Sequence, residues 1–599
     1  MNELKETLKH FPTPVVKKRD VNQQVLQKVL ALGLDPLAAS LFAARDVPVL
    51  DDFKVWFEAS LKPLDSPQSM ADIDKATERL AQALEKGECI GIETDHDCDG
   101  QTSHAVLYLA LTEFFKHPPS KVRSYIGHRL QEGYGLSDPL VDRILADENR
   151  PTLMLTADNG SSDEPRIARL KEAGIDVIVT DHHAIPEEGI PQSAYAVLNP
   201  TRDDCQFPDR SIAGCMVAWL WMAWTRSKLL ARKTQWQSID SLNALLDFVA
   251  VGTVADCVSL AKSLNNRLVV RYGMQLISKF QRPCWRAVRD VVTSHITSTD
   301  IGFKIAPLLN SDGRLSCAFG SVSFLLSEED QESLKWVRQL METNQTRKDI
   351  QKKITDQAMM QGLEVCNEET YSLCLFLEEG HPGVHGITAS RIRETFGRPT
   401  FIFSPKMGEP DILSGSGRST ETCHLRNALQ WIADKTEGVL QKFGGHQGAA
   451  GVTIFKKDLE AFQVAFEKAV RAQLKDVPKP IILTDGILPW DYFNVSKYKA
   501  LMMQLEPFGR AFETPLFEVQ GQVLDMKWMG SSQTHLRFTL KVADKFLPCV
   551  WFHAKLDEMD PDPISPLDKV EVVYSVEIDE FRQVESLKCF VRHLVVLRS

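Results

Sequence analysis

Three short stretches carry acids and imidazoles at spacings that chemistry could use. The first is Thr94-Asp95-His96-Asp97-Cys98-Asp99-Gly100, directly after the apolar run from Cys89 to Ile92. In extended chain alternate side chains project to one side, so Asp95, Asp97 and Asp99 would share a face. Like charges ~4 Å apart repel by on the order of 4 kcal/mol per pair at an effective dielectric of about 20. A bound cation removes that conflict; the competing reading is an acidic surface turn. Leu155-Thr156-Ala157-Asp158-Asn159-Gly160 and Val179-Thr180-Asp181-His182-His183 repeat the pattern of an apolar run that ends in Asp or His. A fourth run, Asp247 to Asp256, is mostly apolar and small yet ends in an acid, for which a helix cap is the simplest role. Carboxylates with a single imidazole suit Mg2+ or Mn2+ better than Zn2+, which favours cysteine and several histidines. Two such ions about 3.5 to 4 Å apart can serve both oxygens of an in-line phosphoryl displacement, so the expected chemistry is phosphoester hydrolysis.

These residues need elements that deliver them to one place. From Asp72 the sequence alternates between a helix (Ile73 to Lys86), a strand (Cys89 to Ile92) and a helix (Ser103 to Phe115) that Thr102 or Ser103 would cap. Strands follow near Val122 to Ile126, Thr152 to Thr156, Val177 to Thr180 and Ala196 to Leu198. Strands separated by helices imply a parallel sheet covered on both faces, whose ligands gather at the carboxyl ends of the strands. All three acidic runs fall at that edge. Residues 20 to 60 read as a small helical prelude, and Leu242 to about Lys353 as largely helical. That second stretch ends with Arg347, Lys348, Lys352 and Lys353 on adjacent turns, either a solvated face or a phosphate-facing one. A second, glycine-rich alternation begins near Tyr371, and short alternating strands from Leu516 suit a small antiparallel barrel.

The chain has 599 residues, 43% hydrophobic and 25% charged, which fits about four soluble globular domains at roughly 150 residues each. Its formal charge of -11 offers acidic partners no global attraction, so any nucleic-acid contact must use local basic patches. The 12 cysteines form no C-x-x-C pair, which argues against a zinc ribbon and for reduced thiols. The first twenty residues lack a signal-peptide core. The longest apolar run, Ile212 to Trp224, is shorter than the ~20 residues of a membrane span and reads as a buried helix. A cytoplasmic protein without membrane contact is expected.

Taken in order, TDHDCDG, TADNG, TDHH and GTVAD resemble the four motifs of the DHH phosphoesterase superfamily. VLNP (Val197 to Pro200), DRSIAGC (Asp209 to Cys215), APLLNSDGRL (Ala306 to Leu315), HPGVHGITASR (His381 to Arg391), SGSGRS (Ser414 to Ser419), KFGGHQGAAG (Lys442 to Gly451) and EPFGRAFETP (Glu506 to Pro515) extend the likeness. Over essentially its whole length the chain is similar to the RecJ family of single-strand-specific exonucleases. The resemblance implies an α/β architecture: a helical N-terminal segment (1–70) packed on the catalytic domain, then a DHH-type parallel-sheet catalytic domain (71–335). A long connecting helix (336–365), a second α/β domain of DHHA1 type (366–475) and a C-terminal OB-fold β-barrel (476–599) complete it.

It also implies two divalent cations, Mn2+ or Mg2+, one held by Asp95, Asp97 and Asp158, the other by Asp99, Asp158, His182 and Asp256. Asp158 would bridge them, His183 would face the scissile phosphate, and Asp181 would support the cluster from behind. The nucleic-acid contacts it implies are Arg314, Arg391, Ser416, Arg418, Gly444, Gly445 and His446. Gly444-Gly445-His446 could expose consecutive N–H groups as an anion nest, ordinary turn geometry being the alternative. Arg391 and Arg418 would add bidentate phosphate contacts, and for Arg314 the alternative is a structural ion pair. Trp528, Phe538, Trp551 and Phe552 are either stacking platforms, worth ~1 to 3 kcal/mol per base, or core. Glu93, Thr94 and His96 depart from the usual first motif, and Asp312 adds a negative charge near the expected DNA path.

The activity so implied is 5′ to 3′ exonuclease digestion of single-stranded DNA to 5′-mononucleotides by two-metal phosphodiester hydrolysis, in DNA repair and recombination. Its partners would be single-stranded DNA, a single-strand-binding protein and a helicase, with the chain as a monomer. Two alternatives remain: a DHH phosphodiesterase for short oligonucleotides or cyclic dinucleotides, and a non-catalytic single-strand-binding module. The extra barrel argues for longer strands.

Overall fold

This computed structural model describes residues 12–58, 60–128, 131–133, 135–232, 236, 238–292, 295–555, 558–581 and 584–597. The chain divides into two compact units: Asp46–Lys348 with Leu505–Glu513, and Met1–Arg45 with Asp349–Gln504 and Thr514–Ser599. Strand β1 (Val15–Lys18) comes first, followed by helices α1 (Gln23–Leu30) and α2 (Pro36–Ala43). Asn22 and Asp35 cap the two helices through their side-chain oxygens.

The expected helical 1–70 segment on the catalytic domain is corrected here. β1 is a strand, running parallel to Ile481–Thr484 with Val15 opposite Ile481, and the chain as far as Arg45 belongs with that second unit. An ion pair fixes the arrangement: Arg45 and Asp485, both side chains 1% exposed, are joined by two hydrogen bonds, and Asp485 also accepts from the Leu516 N–H at 3.1 Å. Arg45→Met leaves the buried Asp485 carboxylate with only Arg19, whose Nε lies 3.9 Å away, at a local cost of about 3 kcal/mol. Amide hydrogen exchange should then speed up over Val15–Lys18; unchanged protection there would contradict the assignment.

In the catalytic unit, α3 (Ile73–Lys86), β2 (Ile90–Thr94) and α4 (Cys98–Leu109) precede β3 (Val122–Ile126), β4 (Leu153–Ala157), β5 (Asp176–Thr180) and β6 (Ala196–Leu198). The strands pair in parallel in the order β3-β2-β4-β5-β6. β2 and β4 are buried along their whole length, as expected of strands covered on both faces. Their register matters for the site. Thr94 lies opposite Ala157 and Ala157 opposite Thr180, so the next residues, Asp95, Asp158 and Asp181, leave the sheet side by side. Around the sheet lie α5 (Gly214–Ala231), α6 (Leu246–Ala255), α7 (Ala306–Leu315) and α8 (Phe319–Leu326). The apolar run from Ile212 to Trp224 forms the buried part of α5, and among the described residues no helix is long and apolar enough to cross a membrane.

The long helix α9 (Asp330–Val365) begins six residues before the expected connecting helix. Its basic residues have different fates: Arg347 is buried and donates to Asn344 at 2.7 Å, whereas Lys352 and Lys353 pair with Asp356 and Glu379 at the surface.

In the second unit, β7 (Leu373–Phe376), α10 (Pro382–Phe396), β8 (Thr400–Lys406) and β9 (Glu409–Arg418) lead to α11 (Leu425–Lys435), β10 (Lys442–Gly445), β11 (Ala449–Phe455) and α12 (Leu459–Gln473). The sheet order is β10-β11-β9-β8-β7, and Phe401, Phe403, Phe462 and Phe466 bind it to α11 and α12 in one core. After β12 (Ile481–Thr484) and α13 (Val495–Leu505), strands β13 (Phe517–Met529), β14 (His535–Val542), β15 (Lys545–Trp551), β16 (Lys569–Phe581) and β17 (Val584–Val596) close a barrel. It is not wholly antiparallel, because β15 and β17 close it in parallel. Closure removes the free edges that a small open sheet would expose.

Candidate metal centre

The TDHDCDG segment folds differently from the extended chain expected of it. Asp95 leaves β2, but Asp97 is the N-cap of α4 and accepts from the Asp99 and Gly100 N–H groups at 3.0 and 3.2 Å. The helix therefore starts at Cys98, not at a cap on Thr102 or Ser103, and the Thr102 hydroxyl donates to the Cys98 carbonyl instead. Gly100 allows this early start: a Cβ there would lie 2.2 Å from the Asp95 carbonyl oxygen. Asp99 sits in the first turn, where its carboxylate accepts from the Gly214 and Cys215 N–H groups at 2.7 and 3.0 Å. Those amides open α5, an 18-residue helix whose positive end faces the acid.

Asp158 follows β4 with φ 64, a left-handed conformation that Asp tolerates better than most residues. His182 follows β5 and brings Nε2 to 3.2 Å from Asp158 Oδ1, 3.6 Å from Asp256 Oδ2 and 3.8 Å from Asp99 Oδ2. Asp256 occupies the C-cap position of α6, where the sequence pattern placed a cap, and its carboxylate reaches the cluster. Three donor sets result, each with atoms within 4.8 Å of one another: Asp95, Asp97 and Asp158; Asp99, His182 and Asp256; Asp158, His182 and His183.

Asp181 stands behind them. Its Oδ1 accepts from the His182 and His183 N–H groups at 2.7 and 3.1 Å and faces His183 Nδ1 at 2.8 Å, and its Oδ2 accepts from Ser161 N–H. Burial works against its charge, but the His183 hydrogen bond and the two imidazoles outweigh it and hold its pKa below the usual carboxylate range. Burial likewise opposes a charged His183, yet the Asp181 hydrogen bond and charge, with Asp256 and Asp95, raise its pKa to about 10. Burial lowers His182.

Burial, reinforced by the neighbouring carboxylates, pushes Asp97, Asp158 and Asp256 upward. Asp158 Oδ1 and His182 Nε2 are buried with no hydrogen-bond partner. Unpaired buried acceptors among like charges are costly, and oxygen donors with one or two imidazoles are what Mg2+ or Mn2+ would take. The residues present fit divalent cations.

The departures from the usual motif have structural explanations. Buried Glu93 accepts from the Asn159 side chain at 3.1 Å and so ties β2 to the Asp158 turn. His96 Nδ1 lies 2.9 Å from Asp95 Oδ1, and Thr94 Oγ1 lies 3.4 Å from His104 Nδ1. Asp312 turns inward. It is buried and accepts from the Ser316 hydroxyl at 2.6 Å and from the Ser321 N–H, in the first turn of α8, at 3.2 Å. Arg314 is half-buried in the last turn of α7, whose Gly313 packs so closely that a Cβ would lie 2.0 Å from the His96 carbonyl oxygen.

The other expected contacts belong to the second unit. Ser416 and Arg418 alternate on one face of β9, Arg418 lies over Gly386 of α10, and Arg391 is exposed on that helix. The anion nest is corrected: Gly444 and Gly445 form strand β10 opposite Gly451 and Ala450, and the N–H of exposed His446 donates to the Ala449 carbonyl at 2.8 Å. Of the barrel aromatics, Phe538 is core, Trp528 and Trp551 are half-buried, and Phe552 is 52% exposed and stacked on Phe590. The amides that hold Asp99 were not anticipated; the glycine of DRSIAGC, poised to open a helix, was their only signal in the sequence.

Residues 89–253 match the DHH family, N-terminal domain, 370–472 the DHHA1 domain and 484–593 the RecJ OB domain. The single-stranded-DNA-specific exonuclease RecJ of Haemophilus influenzae is 32% identical over 578 residues, covering 93% of this chain and 96% of the relative. The chain belongs to the RecJ family. The Escherichia coli RecJ of the same description is also 32% identical, over 97% of this chain and 98% of its own. Among solved structures, RecJ of Thermus thermophilus in complex with Mn2+ shares the fold, with a TM-score of 0.76 at 24% identity over 98% of this chain and 79% of its own. An exonuclease RecJ bound to manganese matches 68% of this chain and 96% of its own with a TM-score of 0.56 at 29% identity.

Proposed function

We propose that this RecJ-family chain is a metal-dependent exonuclease that digests single-stranded DNA from the 5′ end to 5′-mononucleotides, in DNA repair and recombination. The observation that carries this reading is the set of acids and imidazoles at the carboxyl edge of the sheet, in which Asp158 and His182 are each shared between donor sets. Asp95, Asp97 and Asp158 would hold one divalent cation, and Asp99, Asp158, His182 and Asp256 the other. Such cations supply Lewis acidity at phosphorus and a nucleophile at neutral pH.

The chain's own residues do the positioning. The Gly214 and Cys215 amides fix Asp99, and Asp181 fixes His183 through Nδ1, which leaves Nε2 to meet a phosphate oxygen. Asp181→Asn removes the charge behind His183 without replacing a proposed ligand, and orienting partners of this kind are worth about 10–100-fold. Turnover should fall by that factor while strand affinity stays put; unchanged turnover would contradict the role.

The closed barrel, with Phe552 exposed, and the Arg391, Ser416 and Arg418 surface suit a strand longer than a dinucleotide. We place the chain in the cytoplasm as a monomer, supplied with single strands by a helicase and a single-strand-binding protein. The test compares turnover of a long single strand, a linear dinucleotide and a cyclic dinucleotide in Mn2+, Mg2+ and EDTA. Faster turnover of the long strand in either metal, and none in EDTA, is expected. A dinucleotide turned over faster would contradict the substrate, and strand binding without any product would contradict the enzyme.

A further inference from the structure

Residues Leu505–Glu513 run from the last residue of α13 toward the barrel in sequence yet fold into the catalytic unit. Gly509 and Phe512 exchange backbone hydrogen bonds at 3.0 and 3.1 Å, and Ala511 takes φ 62, so Arg510 and Ala511 form the tip of a tight turn. The turn is clamped from below. Fully buried Arg267 donates to the carbonyls of Leu505, Glu506 and Pro507 and lies 4.2 Å over the Phe512 ring. Arg271 donates to the Glu506 carbonyl as well, and the Glu506 carboxylate accepts from the Ser298 hydroxyl at 2.8 Å and the Phe508 N–H at 3.2 Å.

This clamp fixes where Arg510 sits. The Leu260 N–H donates to the Arg510 carbonyl at 3.0 Å, only four residues beyond Asp256. The Arg510 side chain is exposed, and the backbone that carries it is tied to the loop that follows the Asp256 cap. A firmly held backbone thus sets an exposed arginine beside the loop that follows Asp256, one of the acids of the metal centre, in a chain whose net charge is -11. Two divalent cations would offset most of the carboxylate charge, and the planar fork of the guanidinium suits a phosphate oxygen pair.

We propose that Arg510 is a phosphate-binding residue at the Asp256 end of the catalytic centre, holding the phosphate of the nucleotide being removed. The inference rests on the nuclease reading above and adds to it a contact delivered by a segment remote in sequence from the four acidic motifs. Its test is equilibrium binding of a fluorescent single strand in Ca2+, with a gel to verify that the strand stays intact, over a series of salt concentrations.

Each phosphate neutralised on a single strand contributes about 0.7 to the slope of log affinity against log salt, so Arg510→Gln should lower that slope by about 0.7. Loss of a charge-assisted contact should also weaken binding by about tenfold at low salt. Arg510→Lys should keep most of the slope, and both variants should melt at the wild-type temperature. An unchanged slope and affinity in Arg510→Gln would overturn the proposal, as would a melting temperature that falls equally in both variants, which marks a structural role. If the wild type cleaves nothing in Mn2+ but the slope still depends on Arg510, the nuclease reading fails and the phosphate contact stands.

Discussion

Asp158→Asn should lower kcat/KM on single-stranded DNA by about a thousandfold or more, equivalent to ~4 kcal/mol of transition-state stabilisation, while raising the melting temperature in EDTA. Both effects have one origin. Asp158 belongs to two of the three donor sets, with Oδ1 3.2 Å from His182 Nε2, and a neutral amide oxygen would be a poor substitute for its carboxylate toward divalent cations. Without metal, the same carboxylate is 2% exposed and is pushed upward by burial and by Asp99, Asp97 and Asp95. Removing its charge relieves that repulsion, and Asn also tolerates the φ of 64, so no backbone strain is added. Mn2+ at a hundred times its dissociation constant should stabilise the wild type by about 2.7 kcal/mol per site, and the variant by much less. Calorimetry in EDTA and in Mn2+ checks both signs. A variant that melts lower in EDTA, or gains as much from Mn2+ as the wild type, would contradict the placement of Asp158 at the centre.

The second large effect is expected from Gly100→Ala. The added Cβ would meet the Asp95 carbonyl oxygen at 2.2 Å and its carbon at 2.6 Å, both backbone atoms that no rotamer change can move. α4 must then back away from β2, carrying Asp97 and Asp99 with it and breaking the bonds from Gly214 and Cys215. Overpacking of this kind costs about 3 kcal/mol, which corresponds to roughly 4–5 °C in melting temperature for a unit of this size. Activity should fall further than stability alone explains, because Asp97 and Asp99 lose their register with Asp95. A Gly100→Ala enzyme with wild-type turnover and melting temperature would show that the close approach is unimportant.

Much of the catalytic unit could be read from the chain. Apolar runs that end in acids mark β2, β4 and β5, and the helix from Ile73 to Lys86 keeps its expected bounds because its apolar spacing and the Gly87 stop agree. The loop after β2 departs from the extended chain its alternating acids suggest because cap competition is local and subtle. Asp97 caps α4 ahead of Thr102 and Ser103, and only the absent Cβ of Gly100 lets it do so. Asp312 looked like a charge on the DNA path because sequence does not say which way a helical acid turns; it turns to the Ser321 N–H. The pairing of β1 with β12, the parallel closure of the barrel and the bond from Leu260 to the Arg510 carbonyl join residues far apart in sequence, and no local pattern encodes such partners. Gly444 and Gly445 fit both a nest and a strand, and the hairpin with β11 decides for the strand.

The most direct test of the account is digestion of one single strand, labelled at its 5′ end in one sample and at its 3′ end in another, by the wild type and Asp158→Asn in Mn2+, Mg2+ and EDTA. The account predicts that the 5′ label appears at once as a mononucleotide, that the 3′ label stays in long products until late, and that EDTA or the substitution abolishes both. Early release of the 3′ label, internal cuts that leave both labels in fragments, or undiminished cleavage by the variant would contradict it.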